Sequence, residues 1–309
     1  MSSLDLSTQL APGNSRGLPL ANPVMTASGT FGYGTEYAEV FDIQKLGAIV
    51  CKGTTLQART GNPQPRLVET TGGVLNSIGM ENIGIDALVK EKAPVWANWR
   101  VPVIVNILGQ SVEEYAELAG LLDGVAGVSG IEVNISCPNV KAGGIEFGAS
   151  LESAAAATAA ARGNTSLPLI VKLSPNVTEI TEIATAVVAA GADALSLINT
   201  IKGMAIDTGS RRPVLGNVSG GLSGPAIKPV ALHMVYRVAR SVDVPVIGCG
   251  GIASANDALE FIMAGASAVQ VGTAIFADPR APLDILEGIG RFMEKEGVSR
   301  LSELIGAAT

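Results

Sequence analysis

The chain has 309 residues, 47% of them hydrophobic but only 4% aromatic, with 37 glycines; that balance fits an α/β enzyme in which small residues let helices sit close on a parallel sheet. The formal net charge of −7 argues against nucleic acid and anionic membrane as partners, because both are held by basic surface. Three widely spaced cysteines (Cys51, Cys137, Cys249) form no disulfide framework and cannot supply four thiolates to an iron–sulfur cluster, and a single histidine leaves no His-rich metal site.

The opening "MSSLDLSTQLAPGNSRG" has no basic segment leading into an apolar one, so no secretory signal is expected. No apolar run reaches membrane-spanning length, and a reducing cytoplasm is the expected compartment. Eight short apolar runs follow: "NPVMTAS" (22–28), "GAIVCK" (47–52), "VPVIVNI" (101–107), "GIEVNIS" (130–136), "LPLIVKL" (167–173), "ADALSLIN" (192–199), "VPVIGCGG" (244–251) and "ASAVQVGT" (266–273). Each is bounded by turn residues, as strands buried on both faces are. Helical periodicity fills most of the gaps, at 111–124, 181–191 and 255–265, and the Ala-rich stretch 152–164 is a good helix former. The amphipathic pattern "KPVALHMVYRVAR" carries His233, which is badly placed for a Ser-His-Asp triad. Eight strand–helix units predict an α/β fold, a (β/α)8 TIM barrel, with an open doubly wound sheet as the alternative. Segment 53–100 is too long for one helical return; its Gly, Pro and Thr content predicts an ordered loop and strand excursion over the C-terminal face of the barrel. With no linker and no shift in composition, residues 1–309 read as one domain.

In such a barrel the active-site groups come from the C-terminal strand ends. Here those ends are Ser28, Lys52, Asn106, Asn134, Lys172, Asn199, Gly250 with Gly251, and Gly272 with Thr273. A ring of lysines, asparagines and exposed backbone predicts one central polar ligand. Lys52 and Lys172 either snorkel at the rim, form a Schiff base, or hold an anionic ring as charged donors. The glycines after strands seven and eight are either tight turns or a phosphate cradle. Cys51 and Cys249 read as small buried hydrophobes. Cys137 is either another of these or a general base, since it follows a strand end and precedes Pro138 in a turn crowded with side-chain amides.

The ordered motifs "KGTT", "GNPQPR", "LNSIGMENIG", "NISCPNVKAGGIEFG", "VKLSPNV", "INTIKGM", "GGLSGPAIKPVAL" and "GCGGI…AGASAVQVGTA" resemble the dihydroorotate dehydrogenase family from about residue 20 to about residue 280. The likeness is strongest to its class 1B catalytic subunits. It implies a barrel that binds FMN and oxidises dihydroorotate to orotate in pyrimidine biosynthesis, with the cysteine of "SCPN", Cys137, as the base. It further implies FMN contacts at Ser28, Lys52, Gly53, Asn106, Asn134, Lys172, Ile198, Gly224, Gly250, Gly251, Gly272 and Thr273. Around the orotate ring it implies Lys52, Asn76, Ser77, Ile78, Gly79, Met80, Asn134, Asn199 and Thr200; Met80 stands where the family commonly has leucine, a swap of similar volume. Class 1B enzymes pass electrons to NAD+ through a partner subunit carrying FAD and a [2Fe-2S] cluster, so the resemblance implies a homodimer core inside a heterotetramer. The alternatives are a class 1A enzyme that reduces fumarate, a Schiff-base aldolase using Lys52 or Lys172, a flavin-dependent RNA reductase, and a non-catalytic binding protein.

Overall fold

The computed structural model describes residues 4–136, 138–139 and 145–308. The eight apolar runs form the eight strands of one sheet: β1 (Val24–Thr26), β2 (Ile49–Val50), β3 (Val103–Ile107), β4 (Gly130–Asn134), β5 (Leu169–Lys172), β6 (Ala194–Leu197), β7 (Val246–Cys249) and β8 (Ala268–Val271). All neighbours are parallel, in the order β1-β8-β7-β6-β5-β4-β3-β2. The first and last strands of that order also meet. Met25 bridges Ala48, the Gly47 N–H donates to the Val24 carbonyl at 2.8 Å, and the Thr26 N–H donates to the Ala48 carbonyl at 3.3 Å. The sheet therefore closes into a (β/α)8 barrel, and the open-sheet alternative falls.

Helices return between the strands where the periodic stretches predict them, at Val112–Leu122, Leu151–Arg162, Ile180–Ala189, Lys228–Val238 and Ala255–Met263. Ser111, Ser150 and Ser254 cap three of these by accepting from the backbone N–H three residues on. After β8 only one helical turn forms (Ala274–Ala277) before the long closing helix Ala281–Glu296.

Alternation along the strands divides the apolar side chains into two clusters. Outward residues such as Val103, Val105, Leu195 and Val269 pack under the helices. Inward residues Met25, Val50, Ile104, Ile170, Ala194, Ile247 and Ala268 form a second cluster with Leu10, Ala11, Leu18 and Leu20. The latter belong to an N-terminal hairpin (Thr8–Gln9 with Pro19–Leu20), which thereby floors the barrel at its N-terminal end.

The excursion 53–100 holds a hairpin, Leu67–Thr70 with Gly73–Asn76, and a helical run from Ile85 to Trp96 that buries Leu88 and Trp96. The hairpin joins a second insertion after β6. Gly73–Asn76 pairs antiparallel with Gly220–Ser223, which pairs with Ile201–Gly203. This four-stranded antiparallel sheet lines the same cavity as the C-terminal strand ends of the barrel.

Candidate active site

Two residues beyond the inward apolar layer, the same strands turn polar. Ile104 is followed by Asn106, Ile170 by Lys172, Ala194 by Ser196, Ile247 by Cys249 and Ala268 by Gln270. Period-two alternation puts each on the same inner face, one layer nearer the C-terminal mouth. Above that layer lies a cavity of about 610 Å³, walled by the strand ends and roofed by the antiparallel sheet. Every residue that the resemblance gives to cofactor or to substrate lines this one cavity, with the exception of Cys137, which lies outside the described residues.

Lys172 is only 4% exposed, so it does not snorkel. Its Nζ donates to Gln270 Oε1 at 2.6 Å and to Cys249 Sγ at 3.5 Å. Burial works against the ammonium, but the Cys249 sulfur and the Glu132 carboxylate outweigh it, and the pKa lies above the ordinary lysine value. Cys249 is buried, as expected of a small hydrophobe, yet it also lines the cavity. Cys51 is a buried hydrophobe outright: burial pushes its thiol up to about 12. His233 lies on an exposed position of its helix, away from the cavity.

A polar net edges the mouth. Asn199 Nδ2 donates to Asn134 Oδ1 at 3.2 Å and to Ser136 Oγ at 2.9 Å, while the Ser136 N–H donates to Asn134 Oδ1 at 3.1 Å. The Tyr115 hydroxyl donates to the Asn134 carbonyl at 2.7 Å, fixing the end of β4 from the helix behind it. Asn176 Nδ2 reaches the Thr200 carbonyl at 3.2 Å and Asn176 Oδ1 accepts from the Lys202 N–H at 3.0 Å, tying the strand-five loop to the second insertion. Across the roof, Asn76 Nδ2 donates to the Gly221 carbonyl at 3.3 Å and Asn62 Nδ2 to Ser77 Oγ at 2.9 Å. Arg66 braces the loop through Glu81 at 2.5 Å.

Several cavity residues escaped the sequence reading, among them Ser136, Glu146, Asn176, Lys202, Ser219 and Ser223. Asn176 and Ser136 sit in motifs quoted above, four and two residues past their strand ends, and a search of the loops just after the strands would have found them. Ser223 comes from the roof sheet and Ser219 from the loop residue just before its strand, for which the sequence offers no such rule. Glu132 was also missed; it stands inside an apolar run, but shares the inward register of Asn134.

No helix among the described residues is long and apolar enough to cross a membrane. The family model described as "Dihydroorotate dehydrogenase" matches residues 12–293. A dihydroorotate dehydrogenase B (NAD(+)) catalytic subunit from Pelobacter propionicus is 61% identical over 95% of this chain and 97% of its own. Proteins of the same description from Geotalea uraniireducens and Geotalea daltonii are 58% and 57% identical, over 98% and 99% of each chain. With that match spanning the barrel strands, the roof and the cavity alike, the chain belongs to the dihydroorotate dehydrogenase family.

Proposed function

We propose that this chain is the catalytic subunit of an NAD+-linked dihydroorotate dehydrogenase, converting dihydroorotate to orotate in pyrimidine biosynthesis with FMN as its resident cofactor. The observation that carries the reading is the convergence of the implied cofactor and substrate residues on one roofed cavity at the C-terminal mouth. The wall chemistry fits a flavin. Among the described residues Asn106 Oδ1 is buried without a hydrogen-bond partner, which offers an acceptor to a ligand N–H. Gly250 and Gly251 line the cavity; their φ of 123° and 77° and an added Cβ 2.8 Å from Ala231 Cβ and 2.7 Å from Lys228 Cβ show that glycine is required there by the turn and by the helix packed behind it. Ser28, Lys52, Gly53, Asn106, Asn134, Lys172, Ile198, Gly224, Gly250, Gly251, Gly272 and Thr273 would hold the FMN.

When bound, the flavin supplies the acceptor for the hydride that leaves C6 of dihydroorotate. The protein's own part is acid–base and electrostatic. The Cys137 thiolate takes the proton from C5 of the substrate; it follows Ser136, whose hydroxyl Asn199 holds in place. Asn76, Asn134 and Asn199 meet the amide edges of the ring with matching donors and acceptors. Lys52, which lines the cavity, would attract the substrate carboxylate, and buried Lys172 keeps a fixed positive charge beneath the site. Ser77, Ile78, Gly79, Met80 and Thr200, contributed by the roof and its flanking loops, enclose the ring and exclude water.

The printed description of the relatives, an NAD(+) enzyme's catalytic subunit, supports a partner subunit. We assign to that partner the FAD and the [2Fe-2S] cluster, around a homodimer of this chain. The free, buried thiols of Cys51 and Cys249 support a cytoplasmic setting. Residues 1–309 act as one unit in this reading, supported by the pairing of Asp5 near one end with Ser299 and Leu301 near the other.

The test is anaerobic addition of dihydroorotate to the purified chain while flavin absorbance is followed. Rapid bleaching is expected; a bound flavin that stays oxidised refutes the reaction. Cys137→Ala should keep its flavin but reduce it about 10²–10⁴-fold more slowly near neutral pH, because only the base is lost. Cys137→Ser should retain a rate that climbs with pH. Reduction of Cys137→Ala at the wild-type rate would refute the base.

A further inference from the structure

Beneath the cavity lies a charged group that the mechanism above does not use. Glu132, on β4, is completely buried, as are Asn106, Ser196 and Gln270 around it. Its Oε1 accepts from Asn106 Nδ2 at 2.7 Å; its Oε2 accepts from Ser196 Oγ at 2.8 Å and from Gln270 Nε2 at 2.6 Å. Both amide nitrogens can only donate, so the carboxylate accepts on both oxygens and needs no proton of its own. A fully buried carboxylate is costly unless a cation or several donors compensate it. Among the described residues no basic side chain forms an ion pair with it; the compensating cation, Lys172, stands one amide away. Gln270 bridges the two, its NH₂ on Glu132 and its carbonyl on the Lys172 ammonium.

The same carboxylate orients the neighbouring amide. With Asn106 Nδ2 drawn to Glu132, Oδ1 must face the other way, and that is the atom left buried and, among the described residues, unpartnered in the cavity wall. One side chain thus governs both a fixed charge and a directed acceptor, although it touches neither cofactor nor substrate space.

We propose that Glu132 is a positioning residue of this active site: through Gln270 it keeps Lys172 an ammonium, and through Asn106 it presents a carbonyl oxygen to the cavity. The link to Lys172 stands on geometry alone; its consequence for the reaction rests on the function proposed above. The titratable groups facing Lys172 are Glu132 from β4 and Cys249 from β7; β6 and β8 contribute Ser196 and Gln270, which do not titrate. Removing the Glu132 charge therefore removes the one carboxylate that offsets the burial of the lysine.

The experiment follows the lysine directly. Holoprotein with ¹³Cε-labelled lysine is titrated by NMR, the Lys172 resonance being assigned by its loss in Lys172→Arg. In the wild type the ammonium is expected to persist above the ordinary lysine range. In Glu132→Gln it should release its proton at least two pH units lower, a change of about 100-fold or more in proton affinity. Glu132→Gln combined with Gln270→Glu puts a carboxylate directly on the lysine and should restore the wild-type titration, a rescue that a purely structural role does not produce. Should Glu132→Gln fail to fold, Gln270→Met cuts the bridge alone and should shift the lysine in the same direction by a smaller amount. A Lys172 titration that stays put in every folded variant overturns the proposal. The rate of flavin reduction by dihydroorotate, measured across the same pH range, separates the two readings. A rate in Glu132→Gln that falls with the lysine titration supports both, and a lysine that shifts while the rate ignores it supports the link and overturns the place given to Lys172 in the site.

Discussion

The barrel and its roof are built on opposite terms. Barrel strands are short and almost wholly buried: β3 and β5 to β8 have every residue buried. Each pairs in parallel with a strand one step away in sequence, apart from the closure between β1 and β8. The roof strands Leu67–Thr70, Ile201–Gly203 and Gly220–Ser223 bury no residue completely, and Gly73–Asn76 buries only Leu75. Its central pairing joins residues 145 positions apart. Hydrophobic burial drives the first; the second is held by backbone ladder bonds and a few side-chain amides, which is the low-stability end of a protein where binding elements are drawn. The difference teaches that this molecule separates what holds it together from what closes over its ligand.

The strongest way to sharpen that contrast is to damage the barrel interior. Ile104→Ala, in the fully buried inward layer, should cost about 2–5 kcal/mol, read as a fall in the urea midpoint with the slope unchanged. A roof lesion should behave differently. A Cβ at Gly73 would lie 2.2 Å from the Ser223 carbonyl oxygen, so Gly73→Val forces the two central roof strands apart. It should move global stability by less than about 1 kcal/mol yet weaken orotate binding about tenfold or more, measured by flavin absorbance on orotate titration. An equal loss of stability in both variants would show roof and barrel to be one cooperative unit. The smallest effect is expected on the outer wall, where Lys228 Nζ meets Asp257 Oδ1 at 2.6 Å. Burial works against the Asp257 carboxylate, but hydrogen bonds from Lys228 and Ser254 outweigh it and hold the carboxyl below its usual range. The same bond to Asp257, then one to Glu260, raises Lys228. A depressed carboxyl stabilises above its unfolded pKa and is lost as pH falls through the folded one; a raised ammonium stabilises below its unfolded pKa and is lost as pH rises through the folded one. The pair therefore contributes between about pH 4 and pH 10. Asp257→Asn should cost about 1 kcal/mol at pH 7, a difference that closes in acid unfolding as pH falls through the lowered carboxyl pKa.

The contrast also explains what the sequence discloses. A strand buried on both faces announces itself, so "VPVIVNI" and "LPLIVKL" mark β3 and β5 to within two residues of their ends. The helix starts at Ser111 and Ser254 are equally plain, because a cap is a local chemical requirement. "GGLS" in the roof carries no alternation, and its partners lie far off in the chain, so nothing local distinguishes it from a loop. In the site, strand-end position alone found Lys52, Asn106, Asn134 and Lys172. The motifs of a known family were needed for Asn76 through Met80, since their place in the cavity depends on the roof. Cys249 and Glu132 show a further limit: both stand inside apolar runs, but only register says that they look into the barrel, where Cys249 meets Lys172 directly and Glu132 reaches it through Gln270.

The N-terminal hairpin that floors the barrel decides the traffic of the site. Leu10, Leu18 and Leu20 seal the lower end with apolar contact, so among the described residues the cavity opens at the C-terminal mouth and not through the floor. Whatever enters and whatever is made must share that doorway and the roof above it. Product lingering there bars the next substrate, so its release through that doorway belongs to every turnover.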